Sequence, residues 1–130
     1  MIGIVIVAHG GLAAEYLSAV EHAVGVQTGM QAITIAPDDD RALKQDEICD
    51  AADAVDTGDG VVIVTDMFGG SPSNLSLRAC SPQNRRILYG ANLPMLVKLA
   101  KSRRKPVPDA VRAALDAGRK YIDSHSVDLD

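Results

Sequence analysis

Two short stretches hold the residues best suited to chemistry. His9-Gly10-Gly11 follows the apolar run Ile2–Ala8, and Asp66-Met67-Phe68-Gly69-Gly70-Ser71-Pro72 follows the apolar run Val61–Thr65. An imidazole is nucleophilic through the ring nitrogen that carries no proton, and a carboxylate bonded to the other nitrogen fixes which one that is. Gly10 and Gly11 let backbone amides approach a group held on His9, and Gly69-Gly70 do the same after Asp66. Ser71 as an N-cap and Pro72 as a first helical residue predict a helix whose free amides face the same place. A third stretch, Gly90-Ala91-Asn92-Leu93-Pro94, follows Arg86–Tyr89. Taken singly, each piece has a plain structural reading: a histidine ending a strand, an aspartate forming a turn, a strand-to-helix glycine turn. Taken jointly, a nucleophilic histidine, an orienting acid and an anion cradle suit phosphoryl transfer through a phosphohistidine better than acyl transfer.

The elements that must position these residues follow from periodicity. Ile2–Ala8, Ala32–Ala36, Val61–Thr65 and Arg86–Tyr89 read as strands, and the continuous apolar runs among them as strands covered on both faces. Helical spacing predicts helices over Leu12–Val24 (ended by Gly25), Arg41–Val55, Pro72 or Ser73 to Ala79, Pro94–Ser102 and Asp109–Asp123. The second is expected to turn Leu43, Ile48, Ala51, Ala52 and Val55 inward. The last is expected to turn Val111, Ala114, Leu115, Gly118 and Ile122 to one side. Arg103-Arg104-Lys105 reads as a solvated loop. Strands alternating with helices imply an α/β fold, an open parallel sheet with helices on both faces. In such a sheet, ligands bind beyond the carboxyl ends of the strands. In the order 2-1-3-4, His9 and Asp66 end neighbouring strands within reach of each other.

Composition narrows the classes. The 130 residues form one expected domain, 1–130, with 47% hydrophobic and 23% charged residues. A net charge of −4 and 3% aromatic residues argue against a nucleic-acid binder. No apolar run approaches the ~20 residues of a membrane span, and the start lacks the basic leader of a signal peptide. Cys49 and Cys80 lack CxxC spacing and read as free thiols of a reducing compartment. His22 reads as solvated and His125 as idle in a polar tail. Neither histidine nor cysteine spacing suits a metal, and helix capping explains Asp38–Asp40, so no metal and no tightly bound cofactor or nucleotide is expected. Two other readings stay open from the residues: a receiver-type switch phosphorylated on Asp66, and a flavin or small-nucleotide module using the glycine turns.

At these residues the sequence resembles the IIA component of the mannose family of the phosphoenolpyruvate-dependent sugar phosphotransferase system. The resemblance is carried by Ile4–Ala13 with its Ala8-His9-Gly10-Gly11, by Thr65–Asn74 with its Gly69-Gly70-Ser71-Pro72, and by Gly90–Leu96. It implies a four-stranded sheet of order 2-1-3-4, completed by an antiparallel edge strand exchanged across a homodimer. It implies that His9 Nε2 takes a phosphoryl group from an HPr-type phosphocarrier protein and passes it to a IIB-type acceptor. Asp66 matches the acid on the other ring nitrogen, Gly69, Gly70 and Ser71 the phosphate-binding turn, and Asn92 and Pro94 the loop beside the pocket. Leu12, Phe68 and Met95 are candidates for an apolar rim where the donor docks. The implied place is the cytoplasm, at a membrane permease. Ala8 and Met67-Phe68 depart from the usual pattern, and the chain ends at Asp130 without a linker and IIB domain. The acceptor therefore stays open between sugar uptake and a regulatory target that senses the phosphorylation state.

Overall fold

The computed structural model describes residues 1–67 and 71–128. Four strands, β1 (Gly3–His9), β2 (Met30–Ile35), β3 (Val61–Thr65) and β4 (Arg85–Leu88), form one sheet of order β2-β1-β3-β4. Every adjacent pair is parallel. The helices are α1 (Leu12–Val24), α2 (Arg41–Val55), α3 (Ser71–Ser76), α4 (Leu93–Lys101) and α5 (Val107–Lys120), with a 3₁₀ turn over Arg78–Cys80.

Strand alternation sorts the core into two layers. Ile2, Ile4, Ile6 and Ala8 join Val62 and Val64 against residues of α1, α4 and α5. Val5 and Val7 join Val61 and Ile63 against residues of α2 and α3. All five residues of β3 and all of β1 before His9 are buried, which is why both read as unbroken apolar runs. Where α2 ends, β1 begins under it: a Cβ on Gly3 would collide with the carbonyl and side chain of Val55. Glycine there permits the close approach.

This layering decides where the site lies. The chain leaves β1 toward the layer holding α1, and leaves β3 toward the layer holding α3. The two connections diverge to opposite faces between neighbouring strands, which opens a crevice at their carboxyl ends.

Four sequence expectations are corrected. Leu43 is 69% exposed, because the first turn of α2 stands beside the open edge strand β2, where Leu43 shares a shallow groove with Gln31, Ala32 and Ile33. Ile122 is exposed, because α5 stops at Lys120 and the Ile122 N–H closes a turn onto the Arg119 carbonyl. Ser71 is the first residue of α3 rather than the residue before it. Arg103 is 4% exposed, not solvated. Its guanidinium donates to the carbonyls of Ile2 (2.7 Å) and Gly29 (3.0 Å) and to Gln27 Oε1 (3.2 Å), tying the α4–α5 loop to the starts of β1 and β2.

Candidate active site

His9 is the last residue of β1, and Asp66 directly follows the last residue of β3. The sheet register pairs Val7 with Thr65, so the two side chains leave adjacent strands at nearly the same height. His9 Nδ1 lies 2.9 Å from Asp66 Oδ2, and the His9 backbone N–H donates to the same oxygen at 3.1 Å. An ionised carboxylate only accepts, so Nδ1 carries the proton, and in the neutral ring Nε2 keeps its lone pair. The His9 side chain is 47% exposed and that of Asp66 10%, so the ring meets solvent far more than its orienting acid does. Burial pushes the Asp66 carboxyl up. The hydrogen bonds from the His9 ring and N–H, with attraction to the ring, outweigh that and hold it below the usual aspartate value. Asp66 Oδ1 is buried with no hydrogen-bond partner among the described residues, so His9 supplies most of the carboxylate's stabilisation, with a smaller part from the N–H of Asp66 itself.

A cavity of about 770 Å³ opens beside His9, lined also by Gly10, Pro37, Asp39, Arg41, Ser71 and Leu75 among others. Gly10 adopts φ +55°, a conformation that favours glycine, and its N–H donates to the Ile35 carbonyl at 3.1 Å. That amide prolongs the β1–β2 ladder, while Gly10 itself lines the cavity beside His9. Gly11 is the N-cap of α1, without a side-chain cap, so amides of the first turn of α1 remain open next to His9. Ser71 is exposed and lines the cavity. Phe68, Gly69 and Gly70 lie outside the described residues.

The loop after β4 is held beside the same strand ends. Ala91 N–H donates to the Thr65 carbonyl at 3.0 Å, and Tyr16 Oη donates to the Ala91 carbonyl at 3.1 Å. Within it, Asn92 serves structure. Its Oδ1 accepts the Met95 N–H at 3.0 Å as the N-cap of α4, and its Nδ2 donates to the Gly118 carbonyl of α5 at 3.1 Å. Pro94 stands in the first turn of α4. Neither residue is among those lining the cavity around His9. Met95 belongs to the core rather than to a rim, whereas Leu12 is exposed beside His9.

Sequence reasoning missed Pro37, Asp39 and Arg41 as cavity residues, having read them only as a turn and a helix start. Their signal was topological: β2 neighbours β1, so the loop after β2 ends at the same edge as His9. The acids there act as expected. Asp39 Oδ2 accepts the Ala36 N–H at 2.7 Å, and Asp40 Oδ1 caps α2 through the Leu43 N–H at 3.0 Å. The other candidate nucleophiles are suppressed. Burial pushes the Cys80 thiol up to about 11, and burial raises Cys49 as well, so both stay protonated. His22 and His125 are exposed and outside the cavity.

Comparison with known proteins bears on the family and the fold. Residues 3–115 match the EIIA-man family, described as the PTS system fructose IIA component. The chain is 29% identical over 124 residues, 93% of its length, to the PTS system mannose-specific EIIAB component of Escherichia coli K12. It spans 38% of that relative's length. It superimposes on the phosphotransferase system component EIIA from Streptococcus agalactiae with a TM-score of 0.84 and 26% identity, covering 95% of this chain and 97% of that one. The mannose/sorbose specific IIA subunit from Enterococcus faecalis shares the fold, with a TM-score of 0.86 at 19% identity, covering 98% and 97%. A family match over most of the chain, on a sheet of the same order with the divergent crevice between β1 and β3, leads to one conclusion: this chain belongs to the mannose-type IIA (EIIA-man) family of the sugar phosphotransferase system.

Proposed function

We propose that this chain is a phosphocarrier that accepts a phosphoryl group on His9 Nε2 from an HPr-type phosphohistidine protein and passes it to a IIB-type acceptor for sugar uptake. The observation that carries the reading is the 2.9 Å bond between His9 Nδ1 and Asp66 Oδ2, which leaves Nε2 as the nucleophile on a half-exposed ring. In the step, the lone pair of Nε2 forms the new N–P bond while the donor's P–N bond breaks, its electron pair returning to the donor imidazole. His9 gains positive charge as it is substituted, and Asp66 balances that charge through the Nδ1 proton, which stays in place. Transfer between two nitrogens asks the protein for in-line positioning and charge stabilisation rather than further covalent work.

The cradle for the phosphoryl oxygens in this reading consists of the open amides of α1, Ser71, and the Gly69-Gly70 turn that the family resemblance implies. The donor docks over the crevice mouth, where Leu12 offers apolar surface. The unit is residues 1–130, working in the cytoplasm beside a permease, as a homodimer. A receiver-type phosphorylation of Asp66 is disfavoured because both N–H donors of His9 occupy its Oδ2 and its Oδ1 is buried.

The test is transfer from radiolabelled phosphoenolpyruvate through the general carriers. The expected label is lost in acid, survives base, maps to His9 and is absent from His9→Ala. Full labelling of His9→Ala at another residue overturns the assignment.

A further inference from the structure

Arg41, at the start of α2, is the only lysine or arginine among the described residues that line the cavity beside His9. Its charge is uncommitted, while its neighbours are engaged. Lys44 lies 2.8 Å from Glu47 and 3.7 Å from Asp39. Asp39 Oδ2 also accepts the Ala36 N–H, and Asp40 caps its own helix. Arg41 forms no ion pair with a carboxylate among the described residues and is exposed. Opposite it, the family reading adds charge. A phosphoryl group on His9 brings about two negative charges to a ring already bonded to the Asp66 carboxylate. A crevice with an anion at its base and a dianion arriving needs a positive counterpart, and a guanidinium fork matches phosphoryl oxygens two at a time.

We propose that Arg41 binds the peripheral phosphoryl oxygens as the group passes to and from His9 Nε2. The inference rests on the phosphohistidine reading above and deepens it. Arg41 keeps all its protons and donates hydrogen bonds. The bonds made and broken remain the two P–N bonds already described. The residue thus supplies positive charge that balances the negative charge on the three oxygens of a loose transition state.

The experiment compares wild type, Arg41→Gln and Arg41→Lys for transfer from a phosphorylated HPr-type carrier, with kcat and KM resolved. Phosphorus NMR of each isolated phosphorylated chain gives the titration of the phosphoryl group. Circular dichroism checks that each variant folds. Arg41→Gln is expected to lower kcat on the order of 10²-fold with KM little changed, as for loss of one donor to a developing charge. The phosphoryl titration is expected to move to higher pH in Arg41→Gln, and Arg41→Lys to restore part of both effects. Wild-type kcat in Arg41→Gln overturns the proposal. So does a change confined to KM, which assigns Arg41 to docking the donor instead. Absence of label on His9 in wild type is a separate failure, that of the phosphohistidine reading itself, and is read in the wild-type arm alone.

Discussion

At the scale of single residues, one carboxylate oxygen organises the site. Asp66 Oδ2 receives both the ring and the backbone N–H of His9, so one oxygen fixes the tautomer, the ring orientation and the end of β1 together. Asp66→Asn is expected to leave the fold and donor docking intact. It slows transfer about 10²-fold, in the range of general acid–base contributions, because an amide can present N–H to Nδ1 and select the wrong tautomer. Single-turnover labelling of His9 measures it, and an unchanged rate would remove Asp66 from the chemistry. The pH dependence has a definite sign. Asp66 sits below its ordinary value in the folded chain, so the folded state binds fewer protons than the unfolded one in that range. The stabilisation is complete above the unfolded aspartate value of about 4 and is lost as pH falls through the lower folded value. Acid unfolding of wild type and Asp66→Asn should therefore converge at low pH. His9 and Asp66 were legible because each stands one step past an apolar run. Arg41 was not, since only the β1–β2 pairing brings its loop to His9.

At the scale of elements, strand identity was readable wherever burial on both faces left an unbroken apolar run, as in β1 and β3. Helix ends were readable where a side chain caps them, as at Asp40. What stayed hidden was the role of a loop. Arg103 sits in a basic run and reads as solvated, yet it satisfies three acceptors from the Ile2, Gln27 and Gly29 region. Burial alone pulls its pKa below the ordinary arginine value, because the three acceptors it bonds are all neutral. Replacing Arg103 with Met strands the Ile2 carbonyl, while the Gly29 carbonyl keeps the Ile4 N–H. At roughly 1–3 kcal/mol for a buried group left unpaired, the loss is expected to be about 1–3 kcal/mol. Urea unfolding reads it as a lower midpoint. A change under about 0.5 kcal/mol would mean that water replaces the guanidinium.

At the scale of the whole molecule, the sheet leaves two edges, β2 and β4, and the chain after α5 carries exposed Ile122 and Val127 in a segment without regular structure over residues 122–128. Apolar side chains on an extended tail and unpaired strand edges are complementary features. The expected outcome is a homodimer in which that tail supplies the antiparallel edge strand. Sedimentation should give twice the 13.7 kDa chain mass, and removal of residues 121–130 should return it to the single-chain value. A single-chain mass for the intact protein at micromolar concentration would contradict it.

The sequence by itself determined the alternation of strands and helices, the residues that stand at the strand ends, and the acids that close the turn before α2, because hydrophobic period and capping are local properties of the chain. Tertiary structure alone decided that the Gly10 amide is spent on Ile35, that Arg41 shares a cavity with His9, and that Arg103 is buried. Those outcomes depend on which strands pair and on how closely the layers pack over them, and neither is written in the spacing of any one segment.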